Sequence, residues 1–355
     1  MVEIVLKKYM NTIRSVTFLE YEKEFAQKID SAMEEGYSKG LHEPDLVEII
    51  VDNVKGCRIR NKEQFFEIST ESIFIHGHKS QVKFDFYGQE VQRELGDLIF
   101  IASIVFNGKK YFEKLTINQF KKDKANIRIV SWNLSNKEQL YLLSRFPPFE
   151  GVKGSLIPMR KYILPNYSGC LGSYGLIYKP GDFAFVSAID LDSLVGARNS
   201  LRINELHHLP ATVRYSPFPP HFYLDIDKFF YLMDKLFRRY GFGNDLYWNF
   251  FNNYHFSYNI SDFAHKYLTV GIGEPIFMVK GIYNPQARDF LHDLLLAARI
   301  KAESEGISDL RDFVDRFFGY DYMNNKGKKG FEEGMDIDFG GGGIGIIYTT
   351  MNLGE

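Results

Sequence analysis

Residues 94–122 read ELGDLIFIASIVFNGKKYFEKLTINQFKK, and the order of polar and apolar positions in this stretch sets the fold. Leu98, Phe100, Ala102 and Ile104 alternate with Ile99, Ile101, Ser103 and Val105, as in a strand covered on both sides. Tyr111 to Phe120 repeats the β-branched and aromatic richness, and Asn107-Gly108 between the two runs is a favoured hairpin turn. The stretch therefore predicts a central antiparallel hairpin. Asp97 stands at the entry of its first strand, while Gln119 and Lys121 share a face near the end of the second.

Register decides whether these three side chains meet. A two-residue turn at Asn107-Gly108 pairs Phe106 with Lys109 and sets Asp97 opposite Asn118, on the face away from Gln119 and Lys121. A three-residue loop with Gly108 at positive φ, or a bulge elsewhere in the hairpin, restores a common face. A cluster here thus requires one extra residue.

Working outward, Phe18, Phe25, Ile29, Ala32 and Met33 predict an amphipathic helix over 17–36, and a second helix follows Glu43-Pro44. Stretches 65–75 and 81–87 read as further strands, and NKEQLYLLSRF (136–146) reads as a helix stopped by Pro147-Pro148. Beyond lie a hairpin turning at Pro180-Gly181, helical spacing over 222–239, 286–304 and 308–318, and a short strand at IGIIYTT (344–350). The expected fold is α/β (α+β): a mixed sheet flanked by helices in residues 1–150, then a mainly helical accessory region in 151–355.

The 355 residues hold 32 Phe and 22 Tyr, which excludes extensive disorder. Two cysteines, Cys57 and Cys170, form no zinc-site spacing and fit a reduced, cytoplasmic compartment. The opening MVEIVLKKYM lacks a secretory apolar region, and the longest apolar runs are too short to span a bilayer, so no membrane role is expected. With 43 Lys and Arg against 45 Asp and Glu, any nucleic-acid contact must be a local patch. Lys109, Lys110, Lys114, Lys121, Lys122, Lys124 and Arg128 offer one, readable as a phosphate track or as solvated strand ends.

A carboxylate beside an amide oxygen suits Mg²⁺, and a lysine two residues on can orient water and meet charge developing on phosphorus. The layout of Asp97, Gln119 and Lys121 resembles the PD-(D/E)XK nuclease superfamily, in the variant where Gln replaces the second acid, as in Mrr-like restriction endonucleases. ELGD and QLYLLSRFPPF also look like bacterial relatives of that group. The resemblance covers residues 60–150. It implies a restriction-endonuclease-like sheet, Asp97 and Gln119 as ligands of Mg²⁺ or Mn²⁺ with Glu94 as a further candidate, and Lys121 as the catalytic lysine. It also implies DNA as substrate and a role in restriction or anti-phage defence. The superfamily usually adds an acid from an upstream helix, a place for which Glu20, Glu22 and Glu24 compete. The alternative is a non-catalytic nucleic-acid-binding or scaffold subunit that keeps this fold. Its aromatic C-terminal half, from Phe218 to Phe256, would then meet a partner subunit or a second copy.

Other motifs carry less. His76 and His78 are spaced for a metal but lack a third ligand, and adjacent His207 and His208 diverge. Asp338-Phe339-Gly340 copies a kinase tripeptide without a catalytic loop before it, and Gly340 to Gly343 lacks the lysine and helix of a phosphate-binding loop.

Overall fold

Two amphipathic helices and a two-sided apolar hairpin can bury their faces only by stacking in layers, and a third layer must then close the other side of the sheet. The computed structural model describes residues 2–76, 80–124, 129–179, 181–209, 253–279, 284–319 and 343–354. The chain opens with α1 (Val2–Ile13), α2 (Val16–Ser38) and α3 (Glu43–Val54). Six strands follow: β1 (Cys57–Asn61), β2 (Phe66–His76), β3 (Gln81–Phe86), β4 (Gln89–Glu94), β5 (Leu98–Phe106) and β6 (Lys109–Lys122). Then come β7 (Ser131–Asn133), α4 (Lys137–Arg145), β8 (Phe149–Gly151), β9 (Lys161–Tyr162), β10 (Gly172–Tyr178), β11 (Asp182–Ser187), α5 (Ala188–Val195) and β12 (Ser200–Arg202). The remaining elements are β13 (Phe256–Ser257), α6 (Ile260–Leu268), β14 (Glu274–Met278), α7 (Pro285–Glu305), α8 (Ser308–Gly319) and β15 (Gly343–Asn352).

The main sheet runs β1-β2-β15-β5-β6-β10-β11-β13, and β14 pairs with the first half of β6 along the edge whose second half takes β10. Strands β5 and β6 are antiparallel, while β6 and β10 are parallel and joined through α4, the connection that parallel neighbours require. Side-chain alternation splits the interior into two cores. Leu98, Phe100 and Ile104 face α1, α2, α3 and α6. Ile99, Ile101, Leu115 and Ile117 face α4, α5, α7 and α8. Ser15 caps α2 by accepting the Phe18 N–H at 3.1 Å, and Asn136 caps α4 by accepting the Gln139 N–H at 3.1 Å.

The hairpin, α2, α3 and α4 stand where the sequence places them. Two features differ. β15 is not a short terminal strand: it inserts between β2 and β5, sending Ile344 and Ile346 to one core and Ile347 and Met351 to the other. No break in the sheet marks residue 150 either, because β10, β14 and β15 pair with strands from the first 150 residues and β11 and β13 extend the same sheet from β10. Among the described residues after 150, seven strands (β9 to β15) stand beside four α-helices, so this region is mixed rather than mainly helical. The expected helix over 222–239, the aromatic stretch before Asn253, Pro180 and the tail motifs at 338–342 lie outside the described residues.

Gly96 brings the chain onto β6. A Cβ there would stand 2.8 Å from Ile117 Cγ2 and 3.0 Å from the Asn118 carbonyl oxygen. Gly96→Val is therefore expected to destabilise the fold by about 1–3 kcal/mol, seen as a lower urea midpoint at unchanged m-value.

Candidate functional site

Asn107 (φ 49°) and Gly108 (φ 70°) form a two-residue turn, and Phe106 pairs with Lys109. Alone, that register separates Asp97 from Gln119. β6 then carries one extra residue. Pairing steps from Val105–Lys110 to Ile104–Phe112, which leaves Tyr111 without a partner across the hairpin. Tyr111 and Phe112, though adjacent, both enter the core of α1 to α3. The shifted register holds to Leu98–Asn118, the Asp97 N–H donates to the Asn118 carbonyl at 2.9 Å, and Asp97 arrives opposite Gln119.

The Gln119 Nε2 donates to Asp97 Oδ2 at 2.5 Å, and the Phe120 backbone N–H donates to the same oxygen at 2.8 Å. Asp97 Oδ1 takes no bond among the described residues. Gln119 Oε1 in turn accepts from Gln139 Nε2, which also reaches the Glu94 carbonyl at 3.4 Å. Gln119 and Gln139 are both buried, so this chain of amides fixes the carboxylate from inside the core. Asp97 lies on the α4 side of the sheet, bound through Gln119 to Gln139 of α4, and is partly exposed.

Lys121 shares the face of Gln119 but bonds elsewhere. Its Nζ donates to Glu43 Oε2 at 3.1 Å, while Glu43 Oε1 accepts the Lys122 backbone N–H at 2.7 Å. Burial raises the Asp97 carboxyl from 3.8 to about 7; Glu94 and Glu43 add to the rise, while Lys121 and the Phe120 N–H oppose it. Asp97, Lys121, Glu94 and Glu43 thus share one electrostatic neighbourhood. The loop of Leu95 and Gly96 separates Glu94, at the end of β4, from β5, so strand alternation does not govern which way Glu94 faces.

Sequence reading missed Glu43 and Gln139. Glu43 looked like a helix start, and its only local signal is an acid beside Pro44 in the first turn of α3. Gln139 sits inside a leucine-rich helix with nothing to mark it. Glu22 is bonded to His265 at 2.8 Å and Glu24 lies 3.9 Å from Lys28, so neither serves the cluster.

The basic patch is smaller than the sequence suggested. Lys110 is buried with Glu113 at 2.6 Å and lies over the Phe317 ring, and Lys114 is buried against Asn253 Oδ1 at 2.6 Å. Burial lowers Lys114 to about 7, against the raising influence of Cys170 and Glu274. Both belong to strand faces that alternation turns inward. Lys122 donates to the Leu41 carbonyl at 2.7 Å and lies over the Tyr37 ring, and Arg128 lies outside the described residues.

Among the described residues no group of three or more His, Cys, Asp or Glu side chains could hold a metal ion. His76 is exposed and 3.5 Å from Glu48, and His78 lies outside the described residues. His207 and His208 end an exposed 3₁₀ turn. A second buried constellation, His255 with Asp190 at 2.7 Å and the Ser168 carbonyl at 2.9 Å, directs both ring nitrogens at acceptors, the arrangement of a structural imidazolium. The donor set that suits Mg²⁺ is Asp97 Oδ1, since that ion commonly takes one or two carboxylates and keeps several waters. The Gln119 oxygen is already engaged by Gln139 and would have to leave it to reach a cation. No protein family, curated protein or solved structure matches this chain. Among the described residues no helix is long and apolar enough to cross a membrane.

The Asp97 carboxyl has a stability consequence. The folded chain keeps its proton up to about pH 7, whereas an unfolded one releases it near 3.8, so this group lowers stability as pH rises through that window. Asp97→Asn keeps the acceptor oxygen and removes the charge. At pH 8 the variant should be more stable than wild type by on the order of 1 kcal/mol, about 2 °C in Tm, with the difference vanishing near pH 4. Thermal unfolding at the two pH values checks this.

Proposed function

We propose that this chain is a metal-dependent nuclease of PD-(D/E)XK type that hydrolyses phosphodiester bonds of DNA. The observation that carries the reading is the extra residue at Tyr111, which sets Asp97 opposite Gln119 with Lys121 two residues further on. Two other features support it. The hairpin β5–β6 belongs to a mixed sheet flanked by helices, with β10 returning parallel to β6 after α4, in keeping with the mixed α/β core that the reading expects. Glu43 offers an acid from a helix upstream of the hairpin, the contribution for which the sequence had no clear candidate.

A divalent cation, Mg²⁺ or Mn²⁺, held by Asp97 with Gln119 and Glu94 as further ligands, would supply Lewis-acid polarisation of the phosphate and an activated water. Gln139 and Gln119 hold the Asp97 carboxylate in one orientation. Glu43 positions the Lys121 ammonium, which once released orients the water and meets the charge that grows on phosphorus. The exposed Lys124 and the strand-end Lys122 favour a phosphate backbone at this end of the sheet. Both cysteines are free and buried, in keeping with a reduced, cytoplasmic compartment, and restriction or anti-phage defence is the setting the reading favours.

One observation favours a second reading. Lys121 is bonded to Glu43 and the Gln119 oxygen to Gln139, a closed network that also suits a non-catalytic DNA-binding or scaffold subunit working with a partner subunit or a second copy. Incubation with plasmid DNA, linear DNA and RNA in Mg²⁺ or Mn²⁺ separates the two. The nuclease reading expects cleavage by wild type and a loss of at least about 100-fold in Asp97→Ala and Lys121→Ala, both folded. Gln119→Glu should retain cleavage or change its Mg²⁺ to Mn²⁺ preference. Nucleic-acid binding without turnover, unaffected by Lys121→Ala, would assign the second reading.

A further inference from the structure

The far end of the sheet holds a cleft of about 400 Å³ between the β1–β2 turn and the last residues of the described chain. That volume lies in the range of small-molecule sites. β15 pairs Gly345 with Leu98 and Asn352 with Val105, so this end lies beside the Asn107-Gly108 turn, at the opposite end of β5 from Asp97. The cleft is therefore separate from the candidate nuclease site and owes nothing to that reading.

Its chemistry is uneven in an informative way. Phe65 lines it at φ 54°, a conformation costly for a bulky aromatic residue, and stays 51% exposed, so burial does not offset the strain. The turn is built to hold it there. Asn61 Oδ1 accepts the Gln64 N–H at 2.8 Å, and Asn61 Nδ2 donates to Thr17 Oγ1 at 2.9 Å. Arg60, in β1, and Lys62, in the turn that follows it, also line the cleft and form no ion pair among the described residues. The one acid in the lining, Glu67, is committed to Arg58 at 2.8 Å. The site thus combines a strained, solvent-facing aromatic platform with two uncommitted cations.

We propose that this cleft binds a nucleoside monophosphate group, its base stacked on Phe65 and its phosphate between Arg60 and Lys62. A flat π-face meets the first requirement, and two cations lining the same cleft meet the second. The group comes either as a free nucleotide or as the 5′-phosphorylated end of a strand.

Calorimetric titration of the full chain with AMP, inorganic phosphate and an oligonucleotide carrying either a 5′-phosphate or a 5′-hydroxyl tests this. AMP should bind more tightly than inorganic phosphate, and Phe65→Ala should weaken it about tenfold, the loss expected of one stacked base. The double variant Arg60→Ala with Lys62→Ala should weaken it at least as much. Binding of the phosphorylated oligonucleotide alone, with the same sensitivity to these variants, would identify a strand end as the source. Phe65→Gly relieves the strained φ and should hold or raise Tm while binding falls. The proposal is overturned if neither AMP nor the phosphorylated oligonucleotide binds, if binding survives Phe65→Ala and the double variant, or if Phe65→Gly lowers Tm without affecting binding.

Discussion

One residue without a partner in a hairpin ladder governs the polar end of this sheet. If Tyr111 paired regularly, the two-residue turn at Asn107-Gly108 would leave Asp97 and Gln119 on opposite faces, each a polar group pressed into an apolar core. The bulge shifts every pair from Ile104 to Leu98 by one position. It is held in place because Tyr111 and Phe112 both find room among α1 to α3, while Glu113 and Lys110 satisfy one another on the other side. Packing on both faces of the sheet thus sets the geometry of a cluster some seven residues down the strand, a distance of about 23 Å at strand rise.

The cluster itself is a balance between burial and compensation. A carboxylate partly withdrawn from water is unfavourable, and Asp97 takes two N–H donors on one oxygen and has the Lys121 ammonium in its field. The compensation is incomplete, which is why its carboxyl lies near 7. The Lys110–Glu113 pair on the same hairpin shows the contrast: it is sealed in the core, with each charge close against the other.

Charge placement in the rest of the molecule follows the same economy. A chain with nearly equal numbers of acids and bases has no long-range field to draw an anionic partner, so attraction must be local. Two of the lysines that look most basic in the sequence are consumed inside the core, whereas Arg60 and Lys62 in the cleft form no ion pair among the described residues. Which cations remain for a ligand is thus a result of folding.

The sequence by itself determined the local elements and which side chains share a face. Leu98 to Val105 could only be a strand covered twice, Phe18 to Met33 only an amphipathic helix, and Gln119 with Lys121 could only point the same way, because strand and helix periods act over a few residues. Tertiary structure decided the rest. It chose the parity of the hairpin through Tyr111, brought Glu43 to Lys121 across 78 positions and Gln139 to Gln119 across 20, and drew β15 from the far end of the chain into the middle of the sheet. None of these leaves a local mark. A bulge forms where two cores can accept its side chains, and a parallel strand is placed by the crossover that returns it, so both depend on contacts between residues distant in sequence.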